Sequence, residues 1–554
     1  MSKLCAALLL CVLACRREQP AAAGPARAPR PTAAPAPVPG YIDETGIATP
    51  VDGGILRRRL IGDPATLNAI LQTGLPEQQV LQYVSRNLLD FDARMRLVPG
   101  LAESWEVSGD GRTFTLRLRG EAVWEDGAPV TAADAVFTLR KIVDRDTPAP
   151  VIKPLFGELE TAEVLGEKAF RVRFRKADAN QVMAFVLPVL AEKRFARRRF
   201  LRAPDNRAPL ANGPYRFVSW KPQESIELAR NEKYWGPRGH FDRIVFKILP
   251  DNATAWRALV DGGLDETWID QALKEKSAGD AGFAACCRIV EYYDLDFNDI
   301  ALNNRSPLFV DARVRRALTM LLDRASIVRG LYRGSARIIS GPWAPDSPAY
   351  DSSVAPLPYD PQAAAQLLEE AGWRDTNGNG TRDRAGRELA FDLIVSAGSL
   401  IGSQIGEVLA AAARRVGIEV RVRPLEWAAY VDRLDRGDFE AASGAWSASD
   451  PNPDPFALWH SSQFPPQGAN SSFFHSAEAD RLMEEARAES DEKRRMVLYH
   501  RLHALFRDEA PAIWVVNASK KYALRKTVRG LSTSPLGLFG IWPGPVGWWA
   551  APAP

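Results

Sequence analysis

Residues 98–140 read VPGLAESWEVSGDGRTFTLRLRGEAVWEDGAPVTAADAVFTLR. The chain leaves a strand through Glu106 to Asp110, turns at Gly109-Asp110-Gly111, and returns over 113–118, which is the pattern of a β-hairpin. Asp126-Gly127 marks a second turn. Pro129 and Val130 lead into a helix over 131–143. Thr131 is placed to cap it, Asp134 falls in the first turn, and Ala135, Val136 and Leu139 form an apolar stripe.

Working outward, β-rich alternation predicts strands at 55–59, 170–174 and 244–248. Further on, helical spacing takes over. A helix is predicted at 311–322, with Val314, Ala317, Leu318 and Leu321 on the buried face and Arg313, Arg315 and Arg316 outside it. Another spans 361–371, opened by Pro361 and closed by Gly372. Helices at 401–416, 477–487 and 491–506 follow, with strand-like runs at 390–395, 418–422 and 512–516 between them. The order is β-rich, then alternating, then β-rich again, in a chain of 554 residues. That predicts an α/β protein with more than one core.

The 98–140 run, taken in order, resembles the signature stretch of the family 5 extracellular solute-binding proteins, the dipeptide-, oligopeptide- and nickel-binding group. Further blocks are similar in the same order: Gly62-Asp63-Pro64, Asn212-Gly213-Pro214-Tyr215, Arg230-Asn231-Glu232-Lys233-Tyr234-Trp235, and Phe309 to Leu318. The resemblance covers about residues 50 to 530. It implies two α/β lobes of a periplasmic-binding-protein-like fold, joined by hinge strands, with a β-rich subdomain inserted in the first lobe. The expected division is lobe 1 at 46–80, 205–304 and 508–554, the insert at 81–204, and lobe 2 at 305–507. The implied function is solute capture for an ABC importer with permease and ATPase partners. The solute is a peptide or a peptide-like compound; a metal chelate, an oligosaccharide, or a sensor or chaperone-like role are the alternatives.

The N-terminus predicts where the body works. Residues 1–15 read MSKLCAALLLCVLAC: Lys3 is a basic n-region, and eleven apolar residues follow, too few to span a bilayer as a helix. Val12-Leu13-Ala14-Cys15 resembles a lipobox, which implies cleavage of a signal peptide 1–14 and lipid attachment at Cys15. The Pro/Ala tract over 21–40 favours an extended chain and reads, within 15–45, as a tether. The expected location is the periplasm or cell surface, membrane-anchored, with the body a monomer.

Candidate ligand contacts cluster at Trp446-Ser447-Ala448-Ser449-Asp450-Pro451-Asn452-Pro453-Asp454. In peptide-binding members of the group, a Trp followed three residues later by an Asp sits here, and that Asp meets the ligand's α-amino group. In this chain Ser449 holds that position and Asp450 comes one residue late, so the resemblance breaks at the recognition residue. Asp450 and Ser449 remain candidates, with Trp446 as an aromatic wall and Trp427 and Tyr430 behind it. Asp454 reads as a turn residue capping backbone amides. For Trp105, Trp220, Trp235 and Trp514 the reading is core, and Trp542, Trp548 and Trp549 read as packing on the first lobe.

Other chemistries find little support. Five of the 71 basic residues and one of the 68 acidic residues lie in the first thirty positions, so the body is close to neutral. No basic surplus remains for nucleic acid. His500 and His503 lie one turn apart on a predicted solvated helix face, without the HExxH pattern of a zinc protease. There is neither a nucleophile elbow nor a Walker A loop, and the chain reads as a binding protein with no cofactor and no enzyme activity. Asp375, Asn377, Asn379 and Asp383 with Gly380 have the spacing of a calcium loop, but Gly386 stands where the closing Glu belongs. A polar Asx-turn loop is the better reading. The adjacent Cys286 and Cys287 read as an apolar pair in a core.

Overall fold

The computed structural model describes residues 41–195, 199–447, 451–465 and 468–551. The signal segment, Cys15, the Pro/Ala tract, and the candidates Ser449 and Asp450 lie outside the described residues.

Two separate sets of sheets form two bodies. In the first, Ile55–Leu60 pairs in parallel with Arg243–Ile248, and Ser225–Arg230 and Tyr215–Lys221 complete a four-stranded sheet. Ile244, Phe246 and Ile248 alternate into its core, which is why the run is a half-buried strand. Glu266–Trp268, Lys520–Arg525 and Cys287–Tyr292 form a three-stranded sheet beside it. The 98–140 segment folds as its pattern dictates. Ala102–Val107 and Thr113–Leu118 pair as a hairpin, Ala169–Phe174 and Leu159–Gly166 extend it to four strands, and the helix Ala132–Val143 covers it. Thr131 and Asp134 cap each other at the start of that helix.

The second body is built on a six-stranded sheet ordered Ala336–Ile338, Ala512–Ala518, Phe297–Leu302, Ala441–Trp446, Ala390–Ser396, Glu419–Leu425. Helices Ala312–Leu321, Pro361–Glu370 and Leu400–Arg414 bury Leu318, Leu368 and Leu409 on one face, while Ala477–Ala488 and Glu492–Glu509 bury Leu482, Tyr499 and Phe506 on the other. The sheet takes in Phe297–Leu302 and Ala512–Ala518, which the expected division assigns to lobe 1. The chain therefore passes between the bodies at 293–296 and at Ser519.

Two side chains depart from the reading of the helices. Arg315 is buried, not outside the apolar face: its guanidinium donates to the carbonyls of Phe309, Val310 and Glu509. A charged head can sit inside when it satisfies exposed carbonyl ends that nothing else reaches. His503 is fully buried, not solvated. Its Nδ1 accepts from Asp351 N at 3.0 Å and its Nε2 meets Ser340 Oγ at 3.0 Å. Sequence spacing shows which residues share a face, but not what later packs over it. Cys287 is buried in the small core around Trp256, Cys286 packs against it, and both thiols are free.

Candidate functional site

The strands Ala390–Ser396, Glu419–Leu425 and Ala441–Trp446 are parallel neighbours, so their C-terminal ends share one edge of the second body. The antiparallel strand Phe297–Leu302 begins at that edge, directly after the crossing segment. Ligands of open α/β sheets bind in the crevice outside such ends. Here Trp446 stands opposite Phe297 in register.

Ser447 Oγ donates to Asp296 Oδ2 at 2.9 Å, and Lys520 Nζ reaches the same carboxylate at 2.6 Å from the other crossing. Lys520 also lies 3.7 Å from Asp294, whose carboxyl burial pushes up to about 6. The end of the Trp446 strand is thus tied directly to both interlobe connections.

A cavity of about 110 Å³ opens here, lined by Leu295, Phe297, Trp343, Trp446, Ser447 and Pro453. Trp343 Nε1 donates to Pro453 O at 2.9 Å and fixes the Pro-rich loop. Asp454 accepts from Phe456 N at 3.1 Å, as a turn residue should, and also from Arg487 Nε at 2.7 Å. Burial raises the Asp454 carboxyl, and Arg487 opposes the rise. Arg487 stacks over Phe456 at 3.7 Å and lies 3.8 Å from Asp178 of the inserted subdomain. Ala179 N donates to Arg487 O at 2.9 Å, and Asn180 Nδ2 to Tyr499 Oη at 3.2 Å. The insert and the second body therefore touch beside the cavity.

The opposing wall belongs to the first body. A cavity of about 220 Å³ is lined by Gln72, Gln78, Gln82 and Arg86 together with apolar residues including Ile152 and Met183. Arg86 lies 3.3 Å over the Trp542 ring and pairs with the buried Asp90. Asp90 also accepts from Asn87 Nδ2 at 3.0 Å, and Arg86 N donates to Asn212 Oδ1 at 2.8 Å. Gly213 follows because a Cβ there would stand 2.6 Å from Tyr83 O. Between the two cavities Phe91, Leu295, Ala344, Leu536 and Ile541 pack into a small seam drawn from both bodies and a crossing segment.

The candidates read from sequence are distributed along the second wall. Trp446 lines the cavity and is half-buried. Tyr430 is buried, and its hydroxyl is engaged by Ser443 O at 2.8 Å. Trp427 is 65% exposed and stacks on Tyr430 at 5.7 Å. Arg86, Asp90 and the three glutamines carry no motif and escape sequence reasoning. Asp299 is the one acid in the strand FNDIAL, and that was legible in the sequence.

The other constellations close on themselves. Asp375 accepts from the amides of Gly378, Asn379 and Gly380, and Asp383 from Thr376 N and Oγ1, which makes the 375–383 segment an Asx-type loop. Among the described residues no group of three His, Cys, Asp or Glu could hold a metal ion. Trp514 and Trp548 are core residues, and Trp542 and Trp549 pack with them or against the first lobe.

Two bodies and a double crossing, with one cavity on each side of the Leu295 seam, define a two-lobed protein of the periplasmic-binding-protein type. The model of bacterial extracellular solute-binding proteins, family 5 Middle, matches residues 96–468, and the chain belongs to that family. It is 28% identical to the oligopeptide-binding protein AppA of Bacillus subtilis, covering 88% of this chain and 90% of the relative. It is 27% identical to heme-binding protein A of Haemophilus influenzae, over 85% and 88%. The solved structure of AppA from Bacillus subtilis in complex with a nonapeptide superposes with a TM-score of 0.76 at 27% identity, covering 91% of this chain and all of that one.

Proposed function

We propose that this protein captures peptides between its lobes, outside the cytoplasm, and delivers them to the permease of an ABC importer. Membership of the family over residues 96–468 carries this reading, together with cavities on both sides of the seam at Leu295. The relatives matched over most of the chain include an oligopeptide binder solved with its nonapeptide. The carboxamides of Gln72, Gln78 and Gln82 each offer donors and an acceptor, the complement of a peptide backbone. Closure brings the lobes together about 293–296 and Ser519, the points at which we place the hinge.

Cys15 carries the lipid, the segment 15–45 is the tether, its end held on the body by Tyr41 with Asp346 and Glu44 with Arg288, and the body acts as a monomer. Catalysis has no support in the buried Ser340–His503 contact. Asp351 N donates to Nδ1, so Nε2 bears the proton and cannot take one from the serine.

The test is calorimetric titration of the purified, delipidated protein with a defined oligopeptide mixture, followed by native mass spectrometry. Micromolar or tighter binding with peptide masses retained on the protein is expected. Binding of haem or a metal chelate with no peptide adduct would replace the reading.

A further inference from the structure

Asp299 has no counterpart among the buried acids around the cleft. It is 2% exposed, and neither carboxylate oxygen has a hydrogen-bond partner among the described residues. It sits in the middle of Phe297–Leu302 and shares a face with Phe297, two residues nearer the cavity. Across one flank it is in register with Gly444, and across the other with Trp514. Gly444 leaves room: a Cβ there would stand 2.9 Å from Asp299 Oδ1.

Burial pushes the carboxyl up to about 7, and the Trp446 indole N–H, which lies near it but outside hydrogen-bond geometry, opposes that rise only in part. The Tyr430 hydroxyl is close enough for Asp299 to raise its pKa, but it is already engaged by Ser443 O. Arg58 in the first lobe is as deeply buried, yet Glu266 and Tyr83 meet it. A buried carboxylate without a donor costs several kcal/mol, and a protein retains one where something outside the chain completes it. Trp446 and Tyr430, which act on it electrostatically, are aromatic, as are Phe297 on its own strand and Trp514 opposite it in register. An anion among aromatic side chains suits an ammonium group, which can pair with the carboxylate and rest on a ring.

We infer that Asp299 binds the ammonium group of the solute, with Trp446 as the wall that moves to admit it. The inference rests on the peptide-binding reading. It makes Asp299 the recognition acid in a chain whose Trp446 motif has Ser449 where the family's acid is expected. The ammonium is a peptide N-terminus or a lysine side chain, and the two are separable.

The experiment is calorimetric titration of wild type, Asp299→Asn and Asp450→Asn with trialanine, N-acetyl-trialanine and N-acetyl-Ala-Lys-Ala. Wild type is expected to bind trialanine at least tenfold more tightly than its acetylated form. If the side chain is the source, the lysine peptide instead exceeds N-acetyl-trialanine by that factor. Asp299→Asn should bind all three within about twofold of each other while melting at or above the wild-type temperature at pH 8. Asp450→Asn should keep the wild-type preference. A preference retained by Asp299→Asn, or lost in Asp450→Asn alone, overturns the assignment. Equal binding of all three by wild type overturns it and leaves peptide binding standing. Binding of none overturns both.

Discussion

The two walls of the cleft treat a buried acid in opposite ways. On the first lobe, Asp90 is held by Arg86 and Asn87, and Arg86 in turn lies flat on Trp542. Asp90 has its partners within the wall, and its charge is cancelled there by Arg86. On the second lobe, Asp299 is as deeply buried, has aromatic neighbours, and has no hydrogen-bond donor among the described residues. The first arrangement serves folding, since removing either partner strands the other. The second leaves a carboxylate for something that is not part of the chain. In this cleft the first lobe contributes a preformed surface and the second contributes the discriminating charge.

The largest way to break this contrast is Arg86→Ala. It leaves Asp90 buried with only Asn87 and exposes one face of Trp542, and about 3–5 kcal/mol of stability should be lost in urea unfolding. A loss under 1 kcal/mol would mean that the pair is not load-sharing with the fold. Next is Trp446→Ala, which removes the aromatic wall. Peptide affinity should fall by roughly 1–2 kcal/mol, read as an about five- to thirtyfold rise in Kd, with little change in melting temperature because Trp446 is only half-buried.

Proton linkage sharpens the contrast further. Asp299 has its folded pKa raised, so the unfolded chain releases its proton first, and stability from this group declines between about pH 4 and pH 7. Asp299→Asn should therefore gain melting temperature over wild type at pH 8 and show no gain at pH 4. His503 has the opposite sign. Burial lowers it to about 4, so the stability of its neutral form is complete above about pH 6.5 and is lost as pH falls toward 4. His503→Gln should flatten the acid limb of the melting curve while leaving the limb above pH 7 unchanged. The smallest effect is expected from Asp178→Ala: its contact with Arg487 is 3.8 Å long and partly solvated, and stability should change by less than about 1 kcal/mol.

The sequence carried the fold further than it carried the site. The hairpin and capped helix of residues 98–140 are local: Thr131 and Asp134 satisfy each other within one turn, so spacing suffices to read them. The strands at 390–396 and 512–518 were legible because they are short apolar runs between helices. What was not legible depends on segments far apart in the chain. Arg315 looks like a solvent-facing charge until the carbonyl of Glu509 arrives beside it. His503 looks exposed until Ser340 and Asp351 cover it. Trp446 was found because the stretch from Trp446 to Asp454 resembles the Trp-to-Asp motif of the peptide-binding members of the family. Arg86 and Asp90 were not found, because their pairing is recognisable only once Trp542 lies against them.

The central claim is a cleft between two lobes that closes on a peptide. Small-angle scattering of the purified body, with and without a saturating peptide mixture, tests it most directly. The radius of gyration should fall on addition of peptide, and the scattering of the free protein should fit a more open two-lobed particle. An identical curve in both conditions, with peptide shown to be bound in the same sample, would contradict the account.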